Sequence, residues 1–107
     1  MSAIPEISPQ ALKARLSAPD APVVLDVRED WERDIVRLPD TRDIPMGQIS
    51  TRVTELPRDR EIVVLCRSGG RSLQVARYLG QQGYRVANLS GGILAWARDV
   101  DPSLPTY

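Results

Sequence analysis

The chain has 107 residues, of which 42% are hydrophobic and 26% charged, and its 14 basic residues balance its 14 acidic ones. These values are typical of one soluble globular domain, which we expect to occupy residues 1–107, and the zero net charge offers no overall attraction for nucleic acid or an anionic membrane. The absence of histidine excludes His-based zinc sites and catalytic pairs or triads that need an imidazole.

The single cysteine rules out an internal disulfide, and a free thiol survives best in a reducing compartment. Residues 1–6 lack the basic and apolar stretches of a secretory signal, and no apolar run is long enough to span a bilayer. We therefore expect a cytoplasmic protein with no membrane partner. We also expect no metal and no cofactor.

The first half of the chain predicts short elements. Ser8 followed by Pro9 is typical of the N-cap and first position of a helix, which runs to Leu16 and is broken by Pro19. The apolar residues 23–27 do not alternate with polar ones and therefore predict a strand covered on both faces. We then expect a helix over 29–35, a turn at 38–40, a very short strand at 44–45 and a helix over 49–56.

The second half contains the clearest strand, residues 61–66, which ends on Cys66. A helix is predicted from Arg71 to about Gln82, then a strand over 85–89, a last helix through Trp96 and an irregular tail from 101. Strands that alternate with helices predict an α/β fold with a small, mostly parallel central sheet and helices on both faces. Such sheets place their sites at the carboxyl ends of the strands, where Cys66 lies.

The loop after Cys66 is suited to binding an anion. The first amides of a helix lack internal acceptors and carry partial positive charge, and Gly69 and Gly70 let several N–H groups turn toward one point. Arg67 and Arg71 add fixed positive charge. We expect the Cys66 thiol to have a lowered pKa and to react as a thiolate without a histidine base. The alternative is a buried structural cysteine beside an ordinary glycine turn.

Three separated segments resemble the rhodanese domain family. The active-site loop of that family is a cysteine followed by four residues, an arginine and a hydroxyl residue, and here the loop reads Cys66-Arg67-Ser68-Gly69-Gly70-Arg71-Ser72. Residues 25–29 with Trp31-Glu32 resemble the family's early motif, and residues 83–96, which include Ser90-Gly91-Gly92, resemble its late one. The resemblance covers roughly residues 4–98, nearly the whole chain.

The resemblance implies a sulfurtransferase. Cys66 would take a sulfane sulfur from a small-molecule donor such as thiosulfate and pass it, through a persulfide, to cyanide or to a protein or small-molecule thiol. The persulfide anion would be held by the loop residues Arg67, Ser68, Gly69, Gly70, Arg71 and Ser72. We expect Arg67 to face the incoming donor, and the planar fork of Arg71 to bind loop carbonyls or a carboxylate such as Asp26.

Four residues outside the loop also receive an interpretation, and that of Asp26 and Arg28 comes from the same resemblance. Asp26 and Arg28 would flank the pocket and support the loop, with an ordinary surface ion pair after a strand as the open alternative. We interpret Trp31 and Trp96 as packing residues. The sequence departs from the family at residues 35–40, where many members carry a Gly-His-Ile stretch.

The tail over 101–107 resembles the end of rhodanese domains that are fused to adenylyltransferases. These fused proteins add sulfur to sulfur-carrier proteins. It favours a protein thiol or thiocarboxylate as acceptor, and hence a sulfur-carrier partner.

Two functions compete with sulfur transfer as interpretations of the loop. A phosphatase or arsenate reductase needs a loop with one more residue between cysteine and arginine than the four present here. A persulfide carrier with little turnover, or a binding module, stays open.

Overall fold

A computed structural model of the chain describes residues 3–107. Met1 and Ser2, which belong to the amino-terminal segment and to the expected 1–107 domain, lie outside the described residues. Within this range five strands form one parallel sheet in the order β1-β5-β4-β2-β3. The strands are β1 (Glu6–Ile7), β2 (Val23–Asp26), β3 (Arg42–Asp43), β4 (Ile62–Leu65) and β5 (Val86–Leu89).

Helices separate the strands along the chain, as the sequence predicts. They are α1 (Pro9–Leu16), α2 (Asp30–Ile35), α3 (Ile49–Arg52), α4 (Gly70–Gln81) and α5 (Gly92–Asp99), with 3-10 turns at Met46–Gln48 and Val53–Glu55 on either side of α3. Residues 101–107 form turns and irregular backbone. No helix within residues 3–107 combines the length and apolar character that a membrane crossing requires.

Each face of the sheet carries its own hydrophobic core, because successive side chains of a strand point to opposite faces. Ile62 and Val64 of β4 pack with residues of α3 and α4, whereas Val63 and Leu65 pack with residues of α1 and α5. All four side chains are fully buried, which explains why the β4 sequence shows no alternation. The predicted α/β fold with helices on both faces is confirmed.

The structure corrects several details of the sequence prediction. Strand β1 was not predicted: it has two residues, and main-chain hydrogen bonds to β5 hold it there, including one of 2.8 Å from Asn88 N to Pro5 O. Strand β3 lies immediately before the predicted 44–45 segment. The helix predicted over 49–56 is a single α-helical turn continued as a 3-10 turn.

The sheet brings two chain segments together at one edge. Strands β2 and β4 are neighbours, with Asp26 opposite Leu65, so the residues that follow each strand meet at the same carboxyl end. The residue after β4 is Cys66, and the residues after β2 include Arg28 and Trp31. Helix α5, which follows β5, begins beside Cys66. This edge of the sheet holds the predicted site.

Candidate functional site

Cys66 lies at the start of a short loop between the end of β4 and the start of α4. Its side chain is buried, and the backbone N–H of Gly69 donates a hydrogen bond of 3.0 Å to its Sγ. Gly69 adopts a left-handed conformation with φ of 108°, which glycine tolerates better than any other residue. The loop therefore turns its amides toward the sulfur at the positive end of a twelve-residue helix.

The surroundings of the Cys66 thiol act on its pKa in opposite directions. Burial is the largest influence and raises the pKa, because it penalises the charged form. Hydrogen bonds from the Ser72 hydroxyl and from the backbone amides of Ser72, Gly69 and Ser68 stabilise the thiolate, and their combined effect lowers the pKa below the ordinary value of 9.0. The direction agrees with the sequence prediction.

Helix α5 supports the loop from behind. The N–H of Ile93 donates to the carbonyl of Cys66 at 2.9 Å, and the N–H of Leu94 donates to the carbonyl of Arg67 at 3.1 Å. A Cβ atom added to Gly92 would lie 2.5 Å from both carbonyl oxygens, and Gly92 has a φ of 62°. Any side chain there would push α5 away from the loop. Gly92 belongs to the late motif, and the sequence alone predicts no role for it.

Arg71 is anchored by Glu32 rather than by loop carbonyls or Asp26, which corrects the sequence prediction. Its Nη1 and Nη2 donate to Glu32 Oε2 and Oε1 at 2.7 and 2.8 Å, a two-point ion pair between α4 and α2. The Glu32 carboxylate is 4% exposed, and the hydrogen bond from Arg71 is the main cause that lowers its pKa from 4.5 to about 2. Glu32 also holds the pKa of Arg71 above its ordinary range.

Asp26 and Arg28 form a buried ion pair, and the alternative of a surface pair is wrong. Both side chains are fully buried, and Arg28 Nη2 lies 2.8 Å from Asp26 Oδ2. Arg28 also donates to the carbonyl of Val36 at 2.8 Å and to that of Glu32 at 3.4 Å. The pair thus fixes the backbone of α2, which carries Glu32, and supports the loop indirectly.

Tyr107 joins these groups, a contact that sequence reasoning missed. Its hydroxyl donates to Glu32 Oε1 at 2.8 Å and accepts from Arg28 Nη1 at 3.1 Å. Arg67 was expected to face an incoming donor. Instead its Nε donates to the main-chain oxygen of Tyr107 at 2.7 Å, and its guanidinium lies 5.1 Å from the centre of the Tyr107 ring. The tail therefore lies beside the loop.

The remaining predicted residues divide between core and surface. Ser72 is fully buried, with its Oγ 3.3 Å from Cys66 Sγ, and Ser68 is exposed at the loop. Trp96 packs in the core with 8% exposure, as expected. Trp31 is 61% exposed, so it is not a packing residue of the core; the centre of its ring lies 6.1 Å from that of Tyr107, with the two rings nearly perpendicular.

No group of three or more Cys, Asp or Glu side chains within residues 3–107 is placed to hold a metal ion. The described site consists of a buried thiol, amides directed at it and arginines fixed by carboxylates. Such an arrangement can stabilise a sulfur anion, and it leaves the thiolate as the nucleophile.

Comparison with protein families gives a match over most of the chain. The family model for the Rhodanese-like domain matches residues 8–99. This chain belongs to the rhodanese-like domain family. The matched range includes Arg28 and Glu32, the Cys66 loop and Gly92 on α5. The resemblance noted in the sequence is confirmed.

Relatives of this rhodanese-like domain align over most of its length. A protein from Allochromatium vinosum named sulfurtransferase is 46% identical over 94 residues, which cover 87% of this chain and 88% of the relative. A putative sulfurtransferase from Bacillus subtilis is 40% identical over 99 residues, covering 92% and 96%. A putative sulfur carrier protein from the same organism is 38% identical over 96 residues, covering 89% of this chain and 52% of the relative.

The three-dimensional match is equally broad. The crystal structure of a rhodanese-like domain protein from Staphylococcus aureus has a TM-score of 0.84 and 28% identity with this rhodanese-like domain. The alignment covers 97% of this chain and 99% of the other. The tail over 101–107 lies beyond the segment matched by the family model.

Proposed function

We propose that this protein is a sulfurtransferase that carries a sulfane sulfur as a persulfide on Cys66. The observation that carries the proposal is the position of the Cys66 sulfur, 3.0 Å from the amide of Gly69 at the start of α4, in a loop that stabilises the thiolate. The same amides would stabilise a persulfide, since it too is a sulfur anion. The relatives named sulfurtransferases support this assignment.

The first half-reaction takes sulfur from a donor such as thiosulfate. The Cys66 thiolate attacks the outer sulfur of thiosulfate, a new S–S bond forms, and the S–S bond of the donor breaks. Sulfite leaves with the electron pair, and the enzyme holds Cys66–S–S⁻. When Cys66 reacts as the thiolate, no proton has to move in this step, so the step needs no histidine base.

The second half-reaction passes the outer sulfur to an acceptor. A nucleophile, either cyanide or a thiolate, attacks that sulfur, and the electrons of the broken S–S bond return to Cys66 as thiolate. We propose a thiol on a small molecule or on a sulfur-carrier protein as the acceptor, in line with the tail resemblance. Arg67 binds the main-chain oxygen of Tyr107 through Nε and Nη2, and its positive charge, exposed next to Cys66, would still attract an anionic donor or acceptor.

Intact mass spectrometry after incubation with thiosulfate tests the assignment. We expect the wild-type protein to gain the mass of one sulfur atom, and to lose it again when cyanide or a thiol is added. Cys66→Ser is the matched control and should gain nothing. A wild-type protein that gains no sulfur, or a Cys66→Ser protein that gains as much, would overturn the proposal.

A persulfide carrier with little turnover is the second candidate, and the relative named a putative sulfur carrier protein favours it. Steady-state turnover with thiosulfate and cyanide separates the two, because a carrier loads once and then stalls without its partner. Phosphoryl transfer is disfavoured by the four-residue loop, which has fewer amides for a tetrahedral oxyanion. We expect no hydrolysis of an aryl phosphate that depends on Cys66.

A further inference from the structure

Asn88 of β5 lies behind the Cys66 loop and contacts three other parts of the chain. Its side-chain nitrogen Nδ2 lies 3.0 Å from Glu6 Oε2 and 3.1 Å from the main-chain oxygen of Gly69. Its oxygen Oδ1 lies 2.5 Å from Ser72 Oγ. Asn88 is 3% exposed and Ser72 is fully buried, so the two side chains take their hydrogen-bond partners from the protein rather than from bulk water.

These neighbours determine which way round the Asn88 amide lies. A carboxylate such as that of Glu6 and a carbonyl such as that of Gly69 accept hydrogen bonds and cannot donate them. The edge of the amide that faces both must therefore be the NH₂ group, which has two protons to give. The amide oxygen then faces Ser72. Because that oxygen only accepts, the proton between the two residues comes from the Ser72 hydroxyl.

This assignment limits what Ser72 can offer to Cys66. The Ser72 Oγ lies 3.3 Å from the Cys66 Sγ, but a hydroxyl has one proton and two lone pairs. A hydroxyl that donates to Asn88 presents lone pairs to the sulfur. Lone pairs suit a neutral thiol, whose S–H can donate to Ser72. They disfavour a thiolate until the hydroxyl turns its proton from Asn88 to the sulfur.

We propose that Asn88 is a positioning residue that holds the Ser72 hydroxyl proton away from Cys66, so that the hydroxyl turns only when the sulfur becomes anionic. When the thiol gives its proton to solvent, the Ser72 proton leaves Asn88 Oδ1 and donates to the sulfur anion, and only hydrogen bonds change. The inference deepens the proposed function, since it rests on Cys66 as the reactive group, and it assigns to Asn88 a part in the balance between thiol and thiolate.

Other charges around the thiol also influence its ionisation, and the test has to keep them constant. They lie on every element that packs around the loop: Arg67 and Arg71 beside the sulfur, Glu32 on α2, the Asp26–Arg28 pair after β2, Glu6 on β1 and the Tyr107 phenol in the tail. Substitutions at Asn88 and Ser72 change none of them. Asn88→Leu also removes the hydrogen bond to the Gly69 carbonyl, and the Ser72→Ala background described below separates that effect from the effect of the hydroxyl.

The test is the rate of alkylation of Cys66 by iodoacetamide as a function of pH. Leu in place of Asn88 has nearly the same outline, leaves no room for a replacing water and cannot accept a proton. We expect Asn88→Leu to free the Ser72 hydroxyl for the thiolate and to lower the inflection by about 0.5 to 1 pH unit, the equivalent of one hydrogen bond. Glu6→Gln is the matched control: it still offers an acceptor to Asn88 Nδ2 and removes only the charge of the carboxylate, so it should lower the inflection by less than Asn88→Leu does.

The same substitution in a Ser72→Ala background separates positioning from a general structural effect. Without the hydroxyl, Asn88→Leu should leave the inflection where Ser72→Ala alone puts it. An inflection that Asn88→Leu raises or leaves unchanged would overturn the proposal. So would an equal shift in the Ser72→Ala background, or a shift in Glu6→Gln as large as that in Asn88→Leu. Alkylation requires no sulfur donor, so its outcome is independent of whether Cys66 accepts sulfur from thiosulfate.

A second measurement uses the protein without a substitution at Asn88, in case Asn88→Leu fails to fold. The side-chain carbonyl carbon of Asn88 is followed by NMR as the pH is raised. We expect its chemical shift to change with the same inflection as the Cβ of Cys66, because the Ser72 proton leaves Oδ1 as the thiol ionises. The change should disappear in Ser72→Ala. The inference is contradicted if the chemical shift of the Asn88 carbonyl carbon does not change with the titration of the thiol, or if it changes equally in Ser72→Ala.

Discussion

Arg71 and Glu32 form a two-point ion pair that ties the start of α4 to α2, with N–O distances of 2.7 and 2.8 Å across 39 positions of the chain. The pair puts the guanidinium plane at the edge of the Cys66 loop and leaves the carboxylate nearly inaccessible to water. Since two parallel bonds define an orientation and one bond does not, the loop depends on the shape of the Arg71 side chain as well as on its charge.

Replacing Arg71 with Lys should therefore restore little. The ammonium group returns the charge but reaches one carboxylate oxygen at a time, and we expect a loss of about 1 to 2 kcal/mol in the free energy of unfolding, together with slower sulfur uptake. Urea denaturation and sulfur uptake by mass spectrometry check this. Arg52→Lys is the matched control, because Arg52 makes a two-point pair with Glu55 on an exposed turn, through Nε and Nη2, and we expect this variant to unfold with the free energy of the wild type. Wild-type behaviour of Arg71→Lys would mean that Arg71 contributes charge alone.

The lowered pKa of Glu32 predicts a loss of stability in acid. The folded protein holds this carboxylate ionised down to a pKa of about 2, whereas in the unfolded chain it binds a proton near 4.5. The stabilisation is therefore complete above about pH 5 and is lost as the pH falls toward 2. Urea denaturation over this range should show the difference between wild type and Glu32→Gln shrinking as the pH falls. A difference that stays constant would mean that Glu32 does not titrate in this way.

Removing the charge of Asp26 should strongly lower the free energy of unfolding. Asp26→Asn leaves the guanidinium of Arg28 buried without its carboxylate, and we expect a cost of about 3 kcal/mol. The matched control is Asp99→Asn, which removes a carboxylate from the exposed pair with Arg98 and should leave stability unchanged. Thermal melts of both variants measure the contrast. Equal, small effects would show that the Asp26–Arg28 pair is not needed for the fold.

The hydroxyl of Tyr107 should stabilise the protein through its two buried partners. Tyr107→Phe keeps the ring beside Arg67 but removes the hydrogen bonds to Glu32 and Arg28, and we expect a loss of about 1 kcal/mol. Tyr107→Ala removes the ring as well and should cost more. Chemical denaturation of the two variants separates the contributions. If Tyr107→Phe is as stable as the wild type, the tail is held by its contact with Arg67 rather than by the phenol.

Arg67 should affect the binding of an anionic donor more than the chemistry that follows. Its side chain is exposed next to Cys66, so we expect Arg67→Ala to raise the KM for thiosulfate roughly threefold to tenfold and to change kcat less. Steady-state kinetics at low and high salt test this, because salt should reduce the difference in KM. An unchanged KM would indicate that Arg67 serves to hold the tail through the main-chain oxygen of Tyr107.

Local sequence determined the parts of this protein that depend on neighbouring residues. The continuous apolar run of β4, the glycines that follow and the start of α4 are all encoded within residues 62–81, so the position of Cys66 in an amide-lined loop was predictable. Strand β1, with two residues, exists only because β5 supplies its hydrogen bonds, and no local pattern could reveal it.

Tertiary structure alone decided which residues support the loop. Glu32, Tyr107 and Asn88 reach the site across separations of 39, 75 and 16 positions, counted between hydrogen-bonded partners. The burial of Asp26 and Arg28 was equally unpredictable, because an Asp-x-Arg sequence after a strand looks the same on a surface as in a core. Contacts of this kind form when packed elements bring distant polar groups together, and burial then requires each group to find a partner.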